Sequence, residues 1–129
     1  MVKNEKFKMF YDSIVIMTHS ILMVEDDICA ALVQRHLEGL GHVVILYQNG
    51  QDAVDSIEGG WKYDLLMVDS SLKDRVDGAD IIRLSKEMHP QIPIISISGH
   101  AYTLPGVNTH LPKPFNLNEI ARVIGLFLK

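Results

Sequence analysis

The stretch Ile21-Leu22-Met23-Val24-Glu25-Asp26-Asp27 places four apolar residues directly before three acidic ones. Similar short runs, mostly apolar, recur along the chain at Val43–Leu46, Leu65–Val68, Ile92–Ile97 and, more weakly, Thr109–Leu111. Residues that are apolar at successive positions over such a length are typical of strands buried on both faces. The sequence therefore predicts five buried strands.

Helical patterns separate these runs. Apolar residues recur at helical spacing within Ala30–Leu40, Ala53–Ile57, Ile81–Met88 and Leu117–Leu128, and Gly41 is placed to end the first of these helices. Strands that alternate with helices predict right-handed βαβ units and a doubly wound parallel sheet. Ligands of such sheets bind beyond the carboxyl ends of the strands, so the residues after each apolar run form the candidate site.

Composition and charge limit the class of protein. The 129 residues carry a formal net charge of −4 and are 47% hydrophobic, which is ordinary for one globular domain. This charge gives no basic footprint for nucleic acid, and no apolar run is long enough to span a membrane. A single cysteine, Cys29, excludes an internal disulfide framework, and we expect it to be a small core residue. We predict a cytoplasmic protein with an N-terminal extension over residues 1–19 and one domain over residues 20–129.

Charged and hydroxyl side chains follow the apolar runs. Glu25, Asp26 and Asp27 follow the first run, Asp69 the third, Ser98 the fourth and Lys113 the fifth. Because the carboxyl ends of parallel strands share one edge of a sheet, we expect these groups to converge. Clustered carboxylates repel one another, and a hard divalent cation such as Mg²⁺ relieves that repulsion. A carboxylate beside Mg²⁺ and an ammonium group can attack phosphorus, so the pattern indicates phosphoryl transfer.

The order and spacing of these motifs resemble a known family. Val24-Glu25-Asp26-Asp27, Asp69, Asp77-Gly78, Ser98 and Lys113-Pro114-Phe115 together resemble the receiver domain of two-component response regulators. The resemblance implies a flavodoxin-like α/β fold whose five-stranded parallel sheet has the strand order 2-1-3-4-5. It also implies a signalling protein rather than an enzyme, limited to self-catalysed phosphotransfer and autodephosphorylation, with a histidine kinase or phosphotransfer protein as partner.

The resemblance gives the acidic residues their roles. It makes Asp69 the phosphoacceptor, and it makes Glu25, Asp26, Asp69 and the backbone carbonyl of Ser71 the protein ligands of Mg²⁺. Asp27 corresponds to a variable acid that faces outward at the start of the first helix, where it favours the helix N-terminus.

The same resemblance implies a switch and identifies two departures. Ser98 matches the switch hydroxyl, and Lys113, before an expected cis peptide to Pro114, matches the lysine that pairs with the phosphoryl group. His110 stands where the family has an aromatic switch residue; it is either a half-buried histidine or a ring that swings as the aromatic does. Only 14 residues separate Ser98 from Lys113, so we predict that the fourth helix is missing or reduced to a turn.

Three functions remain open at this point. The first is a phosphoacceptor receiver, either a stand-alone protein or part of a larger regulator or hybrid kinase. The second is an Mg²⁺-dependent phosphatase with an aspartyl nucleophile, although Ser71 stands where such enzymes carry a second acid. The third is a receiver-like interaction module that does not use phosphate. A homodimer contact on the first helix, or on the fifth strand with the last helix, also remains open.

Overall fold

The computed structural model describes residues 19–72, 75–99 and 104–128. Strands and helices alternate through these ranges as predicted, except between the last two strands, and their bounds differ from the apolar runs by a few residues. The elements are β1 (Ser20–Val24), α1 (Ala30–Gly39), β2 (Val43–Tyr47), α2 (Gly50–Glu58), β3 (Leu65–Asp69), α3 (Gly78–Met88), β4 (Ile94–Ser98), β5 (Thr109–Pro112) and α4 (Leu117–Phe127). The predicted N-terminal extension lies outside the described residues, except for His19.

The five strands form one parallel sheet in the order β2-β1-β3-β4-β5, which confirms the predicted flavodoxin-like topology. Alternate side chains of the strands enter two apolar clusters on opposite faces. Met23 and Met67 share one cluster with Leu37 of α1 and Ile120 of α4. The second cluster packs the other face of the sheet against α2 and α3. Burial on both faces explains why the strands have continuous apolar sequences.

The loop after β3 runs into a well-capped helix. Asp77 caps α3 by accepting a hydrogen bond from the Asp80 N–H at 3.1 Å, and the Asp80 carboxylate accepts one from the Asp77 N–H at 3.2 Å. This reciprocal pair satisfies two backbone donors that a helix start leaves without partners. The first turn of α3, which begins at Gly78, is therefore fixed close to the end of β3.

The connection from β4 to β5 is short. Residues 100–103 lie outside the described ranges, and the described part of the connection, Gly99 and residues 104–108, contains a turn and no helix. Leu104 and Val107 pack against the cluster beneath α2 and α3. These observations confirm the prediction of a missing or degenerate fourth helix. Within the three described ranges, no helix is long and apolar enough to cross a membrane.

Candidate functional site

One ammonium group meets three carboxylates at the carboxyl edge of the sheet. The Lys113 Nζ lies 3.1 Å from Glu25 Oε2, 3.5 Å from Asp27 Oδ2 and 3.6 Å from Asp69 Oδ2. Glu25 directly follows β1, Asp69 ends β3, and Lys113 directly follows β5. The predicted convergence of Glu25, Asp69 and Lys113 is thus found in the structure, and the predicted cis peptide between Lys113 and Pro114 is present.

Three of the acidic side chains are arranged as metal ligands. Glu25, Asp26 and Asp69 each offer a carboxylate oxygen, and these oxygens all lie within 4.8 Å of one another. Glu25 and Asp69 are buried, whereas Asp26 is exposed. Oxygen ligands at this separation suit a hard divalent cation, which keeps part of its water shell. Above them lies a cavity of about 440 Å³ lined by Asp26, Asp27, Ile28, Asp69, Ser71, Gly99 and Lys113.

Burial and the neighbouring charges shift the pKa values of Glu25 and Lys113. The pKa of Glu25 is raised to about 7. Burial is the largest cause, and the effect of the neighbouring Asp69 carboxylate, which also raises it, exceeds the lowering by the Lys113 ammonium. Burial lowers the pKa of Lys113, but the Glu25, Asp69 and Asp27 carboxylates outweigh that effect, and its pKa is raised overall. The acids therefore carry more negative charge than one lysine compensates.

Backbone donors orient two of the carboxylates. The Ser71 N–H donates to Asp69 Oδ1 at 2.8 Å, which leaves Oδ2 on the side of Lys113. The Cys29 N–H donates to Asp27 Oδ1 at 2.8 Å, and this bond is the main reason that the pKa of Asp27 is lowered. Cys29 is exposed at the start of α1, so the expectation that it is a core residue was wrong.

Ser98 takes a different position from the acids. Its side chain is buried, and its Oγ lies 3.5 Å from Nε2 of the half-buried His110. Among the described residues, the wall of the acidic cavity includes Gly99 but not the adjacent Ser98. The structure therefore brings Ser98 to His110, next to the residue that joins the wall shared by the acids and Lys113.

Sequence reasoning misjudged one participant and missed another. The strand-end pattern placed Asp27 among the converging acids, but the family resemblance made it face outward; in the structure its carboxylate approaches the Lys113 ammonium. Ser96, inside β4, was treated only as part of an apolar run, yet its Oγ lies 2.7 Å from His110 Nδ1. A signal for Ser96 exists in the sequence, because a hydroxyl at full burial in a strand requires a partner and Ser98 lies on the same face two residues later.

Comparison with known proteins decides the family. The sequence model of the response regulator receiver domain matches residues 21–125. This chain belongs to the response regulator receiver family. The receiver is 32% identical over 116 residues to the autoinducer 1 sensor kinase/phosphatase LuxN of Vibrio harveyi, a match that covers 84% of this chain and 13% of LuxN. It is 29% identical over 119 residues to the transcriptional regulatory protein CpxR of Escherichia coli, covering 86% of this chain and 50% of CpxR. The receiver thus spans half or less of the length of these curated relatives.

Solved structures agree with this placement. The receiver domain of the sensor histidine kinase PA1611 from Pseudomonas aeruginosa, solved with a magnesium ion in its active site cleft, matches with a TM-score of 0.77 at 28% identity. That match covers 86% of this chain and 98% of the other. The receiver domain of the hybrid histidine kinase CckA matches with a TM-score of 0.72 at 27% identity, covering 85% and 99% of the two chains. The receiver is therefore a domain of two-component signalling.

Proposed function

We propose that this receiver accepts a phosphoryl group on Asp69 from the phosphohistidine of a histidine kinase or phosphotransfer protein, and that Mg²⁺ binds beside it. One observation carries this proposal: the Asp69 carboxylate lies 3.6 Å from the Lys113 ammonium and within 4.8 Å of the oxygens of Glu25 and Asp26. A carboxylate nucleophile, a cation and a set of metal-ligand oxygens thus surround one cavity, which is the equipment that phosphoryl transfer requires.

The residues present fit Mg²⁺. Asp26 and Asp69 would bind it directly with the backbone carbonyl of Ser71, and Glu25 would complete the acidic set. The pKa of Glu25 is raised first by burial and then by the Asp69 carboxylate, and a divalent cation beside the two acids would favour the charged form of Glu25. The magnesium ion in the related PA1611 receiver supports the same choice of metal. Bound Mg²⁺ would supply positive charge to the phosphoryl oxygens and to the attacking carboxylate.

The chain's own residues account for the transfer. A carboxylate oxygen of Asp69 attacks the phosphorus, the new O–P bond forms, and the N–P bond to the donor histidine breaks, with the electron pair returning to the imidazole. Lys113 is placed to pair with an oxygen of the transferred group, because its ammonium already faces Asp69. Attack by water on the same phosphorus would return Asp69 to a carboxylate and reset the domain.

The rim of the cavity supports a protein phosphodonor. Ile28 lines the cavity and is 93% exposed, and Leu32, one turn along α1, is 58% exposed. An exposed apolar pair beside a charged cavity suits a partner that delivers a histidine side chain to Asp69. We place the docking surface of the kinase or phosphotransfer protein there.

Phosphorylation would be read out through β4 and β5. The Lys113 N–H donates to the Ser98 carbonyl oxygen at 2.8 Å, so a movement of Lys113 is coupled mechanically to the end of β4. Ser98 and His110 are the proposed switch residues.

Three further points stay predictions. They are the division of the chain at residues 19 and 20, the absence of direct nucleic-acid contact and the cytoplasmic location.

Intact-protein mass spectrometry tests the phosphoacceptor. Incubation of the full chain with Mg²⁺ and acetyl phosphate should add the mass of one phosphoryl group to the wild type and none to Asp69→Asn. Asp64→Asn is the matched control, because Asp64 caps the start of β1 at the opposite end of the sheet, where its carboxylate accepts the Ser20 N–H at 2.7 Å. Labelling of Asp69→Asn would overturn the assignment, and a folded wild type that stays unlabelled would favour the interaction module that does not use phosphate.

A further inference from the structure

One imidazole bridges two serines of the same strand. Ser96 and Ser98 lie two residues apart in β4, so their side chains share one face of the sheet. His110 pairs with Ser96 across the β4–β5 ladder, and its ring lies between the two hydroxyls. Nδ1 is 2.7 Å from Ser96 Oγ, and Nε2 is 3.5 Å from Ser98 Oγ.

The burial of Ser96 determines where its proton goes. Ser96 is 0% exposed, so water does not reach its hydroxyl, and the described contacts give that hydroxyl His110 Nδ1 as its partner. A buried hydroxyl without an acceptor is costly, whereas a neutral imidazole has one nitrogen that accepts and one that donates. When Ser96 donates to Nδ1, the ring proton resides on Nε2, the nitrogen that faces Ser98.

We propose that Ser96 holds His110 in the Nε2–H form, so that His110 donates to Ser98 Oγ and acts as a positioning residue for the Ser98 proton. Ser98 then accepts from the ring, and its O–H is the group that it can donate to an oxygen of the phosphoryl group on Asp69. This inference rests on the proposed function, because it gives the Ser98 hydroxyl a target only when Asp69 is phosphorylated.

The opposite tautomer would have the opposite effect. With the proton on Nδ1, the ring would donate to Ser96, and Nε2 would accept the Ser98 proton. Ser98 would then have to break that bond before it could donate to a phosphoryl oxygen. Ser96 therefore determines whether the ring nitrogen that faces Ser98 donates a proton to it or accepts one from it.

Nitrogen-15 NMR of the full chain tests the tautomer without any phosphorylation. At about pH 8.5, where an imidazole is neutral, the protonated ring nitrogen resonates far upfield of the unprotonated one. We expect Nε2 of His110 to be the protonated nitrogen in the wild type, and the Nδ1–H population to rise in Ser96→Ala. A wild-type ring protonated at Nδ1, or a tautomer ratio that is the same in Ser96→Ala, would overturn the proposal.

A titration with beryllofluoride and Mg²⁺ then tests the consequence for Asp69. We expect Ser96→Ala to bind this phosphoryl mimic about five- to tenfold more weakly than the wild type, because one hydrogen bond to the bound group is weakened. Ser96→Thr, which retains the hydroxyl, should recover most of the loss. Ser85→Ala is the matched control, since Ser85, on α3, is equally buried but pairs with Tyr63 instead of with His110.

The two parts of the experiment fail separately. If the wild type does not bind beryllofluoride but NMR finds His110 protonated at Nε2, the phosphoacceptor role of Asp69 is contradicted. The proposed arrangement of Ser96 and His110 then still stands. A wild type that binds beryllofluoride while Ser96→Ala and Ser85→Ala lose affinity equally would contradict the positioning role, because the loss would then be a general effect of removing a buried hydroxyl.

Discussion

Gly78 lies directly against the backbone of Asp69. A Cβ added to Gly78 would lie 2.5 Å from the Asp69 carbonyl oxygen and 2.7 Å from the Cα of Ser70. Both distances are far shorter than van der Waals contact, and the obstructing atoms are backbone, which has little room to yield. The first turn of α3 is thus pressed against the strand end that carries the proposed phosphoacceptor, and only glycine fits there.

Gly78→Ala should therefore damage both stability and the site. We expect the free energy of unfolding to fall by about 1–3 kcal/mol, the usual cost of overpacking, as measured by urea denaturation. We also expect weaker beryllofluoride binding, because Asp69 and the loop after it must shift. Gly125→Ala is the control of opposite sign: its Cβ meets nothing within 4 Å, and alanine in a helix interior should stabilise by roughly 0.5–1 kcal/mol. A Gly78→Ala protein as stable as the wild type would contradict the close packing.

Replacing Lys113 by methionine should abolish the response to beryllofluoride. The change also removes the cation from three carboxylates, two of them buried, and should lower the free energy of unfolding at pH 8 by about 1–2 kcal/mol. Lys113→Arg retains the charge and should lose less stability. Lys62→Met, at an exposed lysine away from the acids, should change stability by less than about 0.5 kcal/mol. Equal losses in Lys113→Met and Lys62→Met would show that the ion pairs contribute nothing specific.

The stability of the metal-free protein should depend on pH through Glu25. Its pKa is raised from 4.5 to about 7, so between these values the folded chain binds more protons than the unfolded chain. Protonated Glu25 stabilises the folded chain relative to the Glu25 carboxylate. This stabilisation is complete below about pH 4.5 and is lost as the pH rises through 7. We expect this loss to be on the order of a few kcal/mol at most. Urea denaturation of wild type and Glu25→Gln across this range tests the effect, because the variant retains every other titrating group but has none at position 25.

Magnesium should reverse this trend. Mg²⁺ competes with protons for the carboxylates, so it should stabilise the fold more at pH 8 than at pH 5.5. Thermal denaturation with and without Mg²⁺ measures the difference. Stabilisation that is equal at both pH values, or that persists unchanged in Asp26→Asn, would place the metal elsewhere.

Hydrogen exchange should show a response at both ends of the proposed switch. Beryllofluoride should change the protection of amides in residues 70–72 and 75–78, next to Asp69, and also of Lys113 and the amides of β5. The second change is expected because the Lys113 N–H is bonded to the Ser98 carbonyl and its ammonium faces Asp69. Changes confined to the loop after Asp69 would argue against transmission to β5.

Much of the fold could be predicted because the patterns that mark its strands and its helix ends are local in the sequence. Continuous apolar runs mark strands buried on two faces, and Gly41, with a φ of +100°, ends α1 as its position predicts. The short span between Ser98 and Lys113 predicted the missing helix by length alone. The predicted strand ends were less accurate. Asp69 and Ser98 were expected to follow their strands, but each is the last residue of its strand.

The candidate site was predictable only as far as the parallel sheet brings strand ends together. Glu25, Asp69 and Lys113 follow from that rule. The direction of Asp27 does not, because it depends on a turn in which the Cys29 N–H binds one of its oxygens and leaves the other for Lys113. The link from Ser96 to His110 depends on the register between β4 and β5, which no local pattern in a four-residue strand determines.

That short last strand makes the site vulnerable to misassembly. Leu111 is the one buried residue of β5, so apolar packing alone would tolerate a slipped pairing. Two hydrogen bonds between Asn108 and Ile94 oppose such a slip. The Ile94 carbonyl accepts the Asn108 N–H at 2.8 Å, and the Ile94 N–H donates to Asn108 Oδ1 at 2.8 Å. A slip of one position would carry Lys113 about 3.3 Å along the strand and away from Glu25. An asparagine far from the acids thus fixes the strand register on which the charged site depends. A chain with the wrong register would retain Glu25 and Asp69 but would lose the Lys113 ammonium that pairs with them.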